Sequence, residues 1–322
     1  MGLGTNHVTR TTAATFIPAI WSDEIAAAYK KSLVVANIVK KMNFKGKKGD
    51  TIHIPVPTRG TAALKAASTQ VTLQAATETE KTVSITRHFE YSRLIEDIVE
   101  AQALTSLRSF YTDDAGYSLA KQIDTDLIQL GRGANGGTAA SARYTAAYIG
   151  SDGTTAYDYS ANTNTGNAAA LTDAAIRRTI QRLDDSDIPM DGRFFVIPPS
   201  SRNTLMGLAR YTEQAFVGEG GGANTIRNGE IGNLYGIPVF VSSNADSTSA
   251  TAAFGTDSPS GTATGRVCLM GHRDAFVLVE QMGVRSQTQY KQEYLGTLFT
   301  ADTLYGVTEL RDYGAIALAV PS

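Results

Sequence analysis

The spacing of apolar residues along this chain changes period several times, and the changes divide it into helices, strands and polar stretches. In residues 16–39, FIPAIWSDEIAAAYKKSLVVANIV, Ser22 can cap a helix, with Asp23 and Glu24 in the first turn where the helix dipole favours negative charge. A short helix is predicted there. Ile52, Ile54 and Val56 then alternate with polar residues, the period of a half-buried strand. Pro55 and Pro57 cannot donate to a ladder, so this strand is an edge or an exposed arm. Residues 58–82 are mostly Ala, Thr and Gln, with Val71 and Leu73 alternating before Val83 and Ile85 resume the strand pattern. So little apolar mass leaves two readings, a two-stranded excursion lying on another subunit or a disordered loop.

Residues 95–130 form the longest helical candidate. Ile98, Leu104, Leu107, Tyr111, Ala115, Leu119, Ile123 and Leu127 recur every three or four positions, which predicts a helix of roughly 50 Å if it is continuous, or two helices kinked near Gly116. Residues 131–167 are rich in Gly, Ala, Ser, Thr, Asn and Tyr and read as a surface insertion. Order returns at Leu171. Thr172 caps a helix, Leu171 and Ile176 have the spacing of a hydrophobic staple, and Ile180 and Leu183 extend the apolar face.

DGRFFVIPPS then gives a turn, an apolar strand and a Pro-stopped edge, followed by a short helix over residues 202–209 and a strand ending near Val241, a compact α/β lobe. After a second polar linker, residues 245–265, strands are predicted at 267–270, 275–279, 284–290 and 315–320. Three segments carry most of this C-terminal pattern: residues 228–244, 272–280 and 303–320, each a strand closed by a Gly turn or a polar loop. Their order places the α/β lobe as an insertion between the long helix and a sheet that packs on it, with 228–244 closing the lobe and the other two completing that sheet.

At 322 residues the chain buries roughly three quarters of the surface its unfolded form exposes. A single cysteine, Cys268, forms no internal disulfide, which points to folding under reducing conditions. No stretch approaches the ~20 apolar residues of a membrane span, and the N-terminus has no apolar secretion signal, so a soluble protein made in a cytoplasm is expected. The net charge of −2 argues against a dedicated nucleic-acid binder. The distribution is uneven: residues 1–50 carry a net +5 from Arg10, Lys30, Lys31, Lys40, Lys41, Lys45, Lys47 and Lys48 against Asp23, Glu24 and Asp50. That region is either a solvated face or an inward-facing arm near nucleic acid.

Candidate chemistry is thin. Residues 217–225, VGEGGGANT, lack the Gly-Lys-Ser/Thr ending of a phosphate-binding loop and read as a flexible loop. His7, His53, His88 and His272 have no second ligand at metal-site spacing, and Cys268 in RVCLMG reads as a buried structural thiol. His272 and Asp274 share a strand face, but no Gly-x-Ser-x-Gly elbow accompanies them. Glu309, Arg311 and Asp312 lie beside a Tyr305-Gly306 turn, with Glu309 and Arg311 on one face as an exposed charge pair or, across a subunit boundary, as a register-setting contact. No catalytic residue, metal or cofactor is expected.

The combination of IPAIWSDEIAAAYKKSLVVANIV, RFFVIPPSSRNTLM, NGEIGNLYGIPVFVSSN, HRDAFVLVEQ and LYGVTELRDYGAIALAV resembles the major capsid proteins of tailed bacteriophages, the α+β fold named after phage Hong Kong 97. The resemblance spans nearly the whole chain in order. It implies an N-arm over residues 1–45, an extended loop over 46–87, and a peripheral domain whose first part, 88–170, carries the spine helix and an insertion. It further implies an axial domain over 171–244 and, over 245–322, a linker and strands that complete both domains. In such a subunit Arg59 and Lys65 on the extended loop, Gly220, Gly221 and Gly222 near a capsomer centre, and Glu309 and Arg311 would meet neighbours. Lys40, Lys41, Lys47 and Lys48 would face inward.

The implied partners are other copies in pentamers and hexamers of an icosahedral shell, a separate scaffolding protein, a portal, a decoration or cement protein, and packaged double-stranded DNA, with no membrane. A separate scaffold is expected because only a short arm precedes Trp21. Some relatives crosslink through a lysine of the extended loop; Lys65 lies in that region without an identified acceptor, and no bond is predicted. Two alternatives remain: an encapsulin-type nanocompartment enclosing protein cargo, and a small hydrolase using His272 and Asp274.

Overall fold

The computed structural model describes residues 34–45, 48–56, 60–71, 73, 79–98, 107–137, 144–158, 167–208, 232–246 and 265–321. Two sheets and one long helix organise them. The first sheet has the order β1-β10-β11-β4. It comprises β1 (Lys40–Asn43), β4 (Arg87–Glu96), β10 (Phe276–Lys291) and β11 (Gly296–Glu309), with β1 parallel to β10 and the remaining pairs antiparallel. A hairpin of β2 (Thr51–Val56) and β3 (Thr79–Ser84) stands on this sheet.

The second sheet has the order β5-β12-β9-β6-β8-β7, from β5 (Tyr148–Ile149), β6 (Arg193–Ile197), β7 (Asn233–Leu234), β8 (Ile237–Val241), β9 (Gly265–His272) and β12 (Ala315–Pro321). Alternation sorts its side chains into two layers. Phe195, Ile197, Ile316, Leu318 and Val320 pack with Cys268, Met270 and the helices α3 (Asp173–Asp185) and α4 (Pro199–Met206). Phe194, Val196, Leu269 and Ala315 face the other way, onto α2 (Leu107–Gln129). In β12 the large residues occupy one face and the alanines the other, so α2 and the 144–157 segment approach closely.

Helix α2 belongs to both sheets. Ala115 and Leu119 cover Phe299 and Ala301 of β11, while Leu127 and Ile128 reach Phe194 and Val196 in the second sheet and Phe276, Leu278 and Tyr305 in the first. The helix is unbroken through Gly116, where an added Cβ would meet nothing within 4 Å. Its described part begins at Leu107, and residues 99–106 lie outside the described residues. Ile95 belongs to β4, paired with Thr297, and Ile98 is exposed.

Several expectations hold. Thr172 caps α3 by accepting from Ala175 N–H at 3.3 Å, with Leu171 and Ile176 buried in the same cluster. Residues Tyr235 and Gly236 turn β7 into β8 with φ of 52° and 80°.

Others are corrected. The strands at 267–270 and 315–320 do not join the sheet under the long helix's first half; β9 and β12 pair with each other, and β9 also pairs with β6, in the second sheet. The stretch 131–167 is not wholly a surface insertion: Tyr144, Ala147 and Tyr157 are buried against Val267, Ala317 and Ala319, and β5 adds an edge strand. The strands expected at 275–279 and 284–290 are one, β10, with register shifts between Glu280 and Arg285 around Gly283. Pro199 opens α4 at its first turn, where a missing N–H is harmless, so the helix begins before Arg202. The helix expected after Ser22 and the loop 217–225 lie outside the described residues; α1 (Val35–Ile38) is one turn at the end of the N-terminal segment.

The Tyr305-Gly306 turn is also corrected, because both residues lie inside β11. A Cβ on Gly306 would sit 2.6 Å from the Ser84 carbonyl oxygen and 3.2 Å from Ile85 Cα, so glycine is required there by close backbone approach. Gly306→Ala should destabilise the protein by about 1–3 kcal/mol, the scale of forced overpacking, in urea unfolding. An unchanged midpoint would contradict the close approach.

Candidate assembly surfaces

The surfaces are positioned by carboxylates buried where α2 meets the rest of the chain. Asp124 is fully buried and accepts from the backbone N–H of Ala36 at 3.1 Å and from the Asn244 side-chain amide at 3.0 Å, joining α1 and the end of the β8 segment to α2. Burial pushes its carboxyl above the ordinary carboxylate range, against the pull of those donors. Asp126 accepts from Arg87 at 2.7 Å, Gln122 at 3.0 Å and the Tyr305 hydroxyl at 2.6 Å, tying α2 to β4 and β11. The Tyr305 ring stacks on Phe89, and burial drives its hydroxyl well above the usual phenol value. Asp246, also fully buried, takes two hydrogen bonds from Arg132 at 2.8 and 3.1 Å and one from Tyr144 at 2.9 Å. Each buried carboxylate thus has the donors it needs.

Sequence reasoning passed over these residues. The signal was Asp124-Thr125-Asp126 set between Ile123 and Leu127, charge at core positions of an apolar face.

Two surfaces project from this frame. The hairpin is rooted by Val83 and Ile85 against Val277 and Val279, with Ile52 and Ile54 partly buried beside them. Beyond the root the described apolar side chains are uncovered. Leu64 is 102% exposed, Leu73 94% and Val71 69%. The second surface is the far end of the β10–β11–β4 ribbon, where β10 continues past the end of β1 and Val284, Tyr290, Tyr294 and Leu295 are exposed. Arg285 grips Asp302 with two hydrogen bonds, 2.8 and 2.9 Å, and His88 reaches the same carboxylate at 3.1 Å, clamping three strands.

The residues singled out by sequence are not brought together. Arg59, Lys47, Gly220, Gly221 and Gly222 lie outside the described residues. Lys65 and Lys48 are exposed, Lys65 in the stretch between the hairpin strands. Lys40 and Lys41 are both exposed but, as neighbours on β1, project to opposite faces, which divides the basic cluster.

Glu309 and Arg311 make no exposed pair: β11 ends at Glu309, and the N–H groups of Leu310 and Arg311 both turn to the Ala275 carbonyl. Glu309 is half-buried, its Oε1 enclosed without a hydrogen-bond partner; burial, with Asp312 adding, raises its carboxyl to about 7 although Lys81 opposes this. His272 engages both ring nitrogens with backbone groups, Nε2 toward the Asp191 carbonyl at 2.8 Å, which ties the start of β6 to the end of β9, and Nδ1 accepting from Asp274 N–H at 3.2 Å in the turn that follows. Cys268 is fully buried with its thiol pushed up to about 12, an unreactive packing residue.

Arg285 and His88 hold the Asp302 carboxyl down to about 2, below its ordinary 3.8. A depressed acid stabilises the fold above its unfolded value and loses that contribution as pH falls through the folded one. The stability difference between the protein and its Asp302→Asn variant should therefore be no more than about 1 kcal/mol at neutral pH, since both partners are exposed, and vanish between about pH 4 and 2. A difference independent of pH in urea titrations would contradict the clamp.

Comparison with known proteins addresses what this frame builds. Solved structures share it over almost their full lengths. One from Mycobacterium phage Che8 is 21% identical, covering 94% of this chain and 97% of its own, with a TM-score of 0.71. The capsid structure of the cyanophage P-SCSP1u is 21% identical over 100% and 97%, with a TM-score of 0.71. The head structure of Helicobacter pylori bacteriophage KHP40 is 13% identical over 99% and 99%, with a TM-score of 0.69. At these identities the likeness establishes the fold, the α+β Hong Kong 97 type expected from the sequence. The chain matches no curated protein. A family model described as Gp10A-like, major capsid protein, matches residues 53–319, so the chain belongs to the Gp10A-like major capsid protein family.

Proposed function

We propose that the chain is the shell-forming subunit of a tailed-phage head, closing with other copies into pentamers and hexamers of an icosahedral container for double-stranded DNA. Family membership supports the role, and the observation that carries the mechanism is the uncovered hairpin extension with Leu64, Val71 and Leu73. Burying one such side chain is worth about 1.5–3 kcal/mol, and within this chain no described neighbour supplies that cover. A second copy does. In this reading the work is done by surfaces, and the subunit needs no catalytic group. Assembly takes place in the host cytoplasm, guided by a separate scaffolding protein, around a portal, and is followed by decoration or cement proteins.

The chain divides on this reading as the resemblance implies: N-arm 1–45, extended loop 46–87, a peripheral domain from 88–170, an axial domain from 171–244, and C-terminal strands that serve both. Arg59 and Lys65 belong to the loop lying on a neighbour, Gly220, Gly221 and Gly222 to the capsomer centre, and Arg311 to a lateral contact. Of the basic residues, Lys41, Lys47 and Lys48 are assigned to the DNA side, and Lys40 to the opposite face of β1.

Electron microscopy of the protein produced with its scaffold should reveal closed icosahedral particles containing DNA. Particles holding a protein cargo in place of DNA would favour a nanocompartment, and a stable monomer under those conditions would contradict shell formation. Leu64→Asp combined with Leu73→Asp should leave the circular dichroism of the subunit unchanged while reducing particle yield at least tenfold. Normal yield from the double variant would remove the hairpin extension from the assembly mechanism.

A further inference from the structure

We propose that the cleft at the hairpin root receives the tip of the β10–β11 ribbon from a second copy of the chain, an acidic and apolar projection entering a cationic and apolar socket. The contact rests on the shell-forming role proposed above and names two of the surfaces that meet in it.

Strand register builds the socket. Ile54 and Lys81 are cross-strand partners in the hairpin, and both lie on the face that Val83 presents to Val277 and Val279. Opposite them Lys40 is paired with Val277, on the sheet face turned toward the hairpin. Asp274 and Arg311 come from the two short turns by which the chain changes sheets, and Leu310 follows the end of β11. With Pro55 and Val56 these residues line a cleft of about 390 Å³, within the roughly 300–1,000 Å³ typical of ligand sites. The hairpin rises from the sheet here, since Val83 is fully buried whereas Val56 is 41% exposed. Three cations against one carboxylate leave the cleft at a net +2. Among the described residues Lys40, Lys81 and Arg311 have no carboxylate within ion-pair distance.

The tip lies at the other end of the same strands. β10 runs 16 residues from Phe276 to Lys291, about 50 Å at the usual rise of a strand, so the tip and the cleft of one chain stand far apart and another copy must supply the contact. Glu293, Tyr294 and Leu295 are exposed in the connection from β10 to β11, with Tyr290 exposed beside them. Leu295 has a φ of 44°, in the left-handed region that glycine enters at no steric cost, yet the position carries a large apolar side chain. Its carbonyl accepts from Asp97 N–H at 3.0 Å, and the Asp97 carboxylate accepts from the Tyr290 hydroxyl at 2.8 Å, so the tip is shaped before it meets a partner. Glu96, Asp97 and Glu293 against Lys291 give it a net −2.

Charge selects this tip over the other exposed apolar groups. The hairpin extension with Leu64, Val71 and Leu73 carries Lys65 and, among its described residues, no acid, so a cationic cleft repels it. Met190, between Asp187 and Asp191, offers one exposed apolar side chain where the tip offers three. A tip seated in a neighbour's cleft is a head-to-tail contact, the kind that repeats from copy to copy around a ring.

The test links the two surfaces in particles. Gln292→Cys and Val56→Cys are made in separate full-length chains, one bearing an affinity tag, and assembled together; Cys268 is fully buried and stays out of the reaction. Mild oxidation should give a disulfide-linked dimer with one chain of each kind. Independently, Glu293→Lys should lower particle yield roughly tenfold with unchanged circular dichroism of the subunit, and adding Lys81→Glu to the same chain should restore most of that yield. Mixed particles without the mixed dimer, dimers of two Gln292→Cys chains in its place, or a charge-swapped chain no better than Glu293→Lys would overturn the contact and leave the shell standing. Failure of the unaltered chain to form particles would instead overturn the shell-forming role, and the contact with it.

Discussion

The last four strands pass from one sheet to the other twice, and the rest of the molecule depends on keeping that crossing closed. β9 lies in the six-stranded sheet, β10 and β11 in the four-stranded sheet, and β12 returns to the first. The two passages are short turns, Arg273 to Ala275 and Leu310 to Gly314, fastened by the Leu310 and Arg311 N–H groups on the Ala275 carbonyl. Helix α2 lies over both sheets at this place, burying Leu127 and Ile128 against strands of each. Hydrophobic burial is non-directional. Direction comes from Asp124 and Asp126, whose hydrogen bonds fix where α1, β4 and the residues after β8 meet the helix.

A frame fixed at its centre can carry extensions that have no core of their own. The hairpin and the β10–β11–β4 ribbon leave the seam in ladders of backbone hydrogen bonds, then run beyond the reach of any helix in the described chain. Their apolar side chains are a liability for a lone subunit and a source of binding energy for an assembly. Contacts of this kind need not be strong individually. A closed shell satisfies many at once, so modest pairwise affinity gives a stable container while misplaced subunits can still leave.

How much of this was legible depends on whether the deciding interaction is local. Thr172 with its staple and the buried run RFFVI could be read directly, because capping and burial on both faces leave short-range patterns. The tripeptide Leu-Tyr-Gly occurs twice and separates the two cases. At Leu234-Tyr235-Gly236 it makes the turn that its residues favour, with positive φ and an exposed tyrosine. At Leu304-Tyr305-Gly306 the same letters lie in mid-strand, because Asp126 takes the tyrosine hydroxyl and Ser84 approaches the glycine. Both partners are far away in sequence. The buried edge strand in 131–167 was missed for a related reason: alanines at 317 and 319 on β12 make room for Tyr144 and Tyr157, and composition of the insertion alone carries no trace of that space. Of the candidate surface residues, Lys65 is exposed in the stretch between the hairpin strands, whereas pairing Glu309 with Arg311 assumed a strand that in fact ends at Glu309.

The central claim is that the hairpin extension is left uncovered by its own chain in order to be covered by another. Amide hydrogen exchange over residues 60–73, compared between assembled particles and dissociated subunits, addresses it directly. The account predicts fast exchange in the free subunit and at least tenfold slower exchange in the particle, with amides of β6 and β12 slow in both. Equal exchange over residues 60–73 in the two states would contradict it.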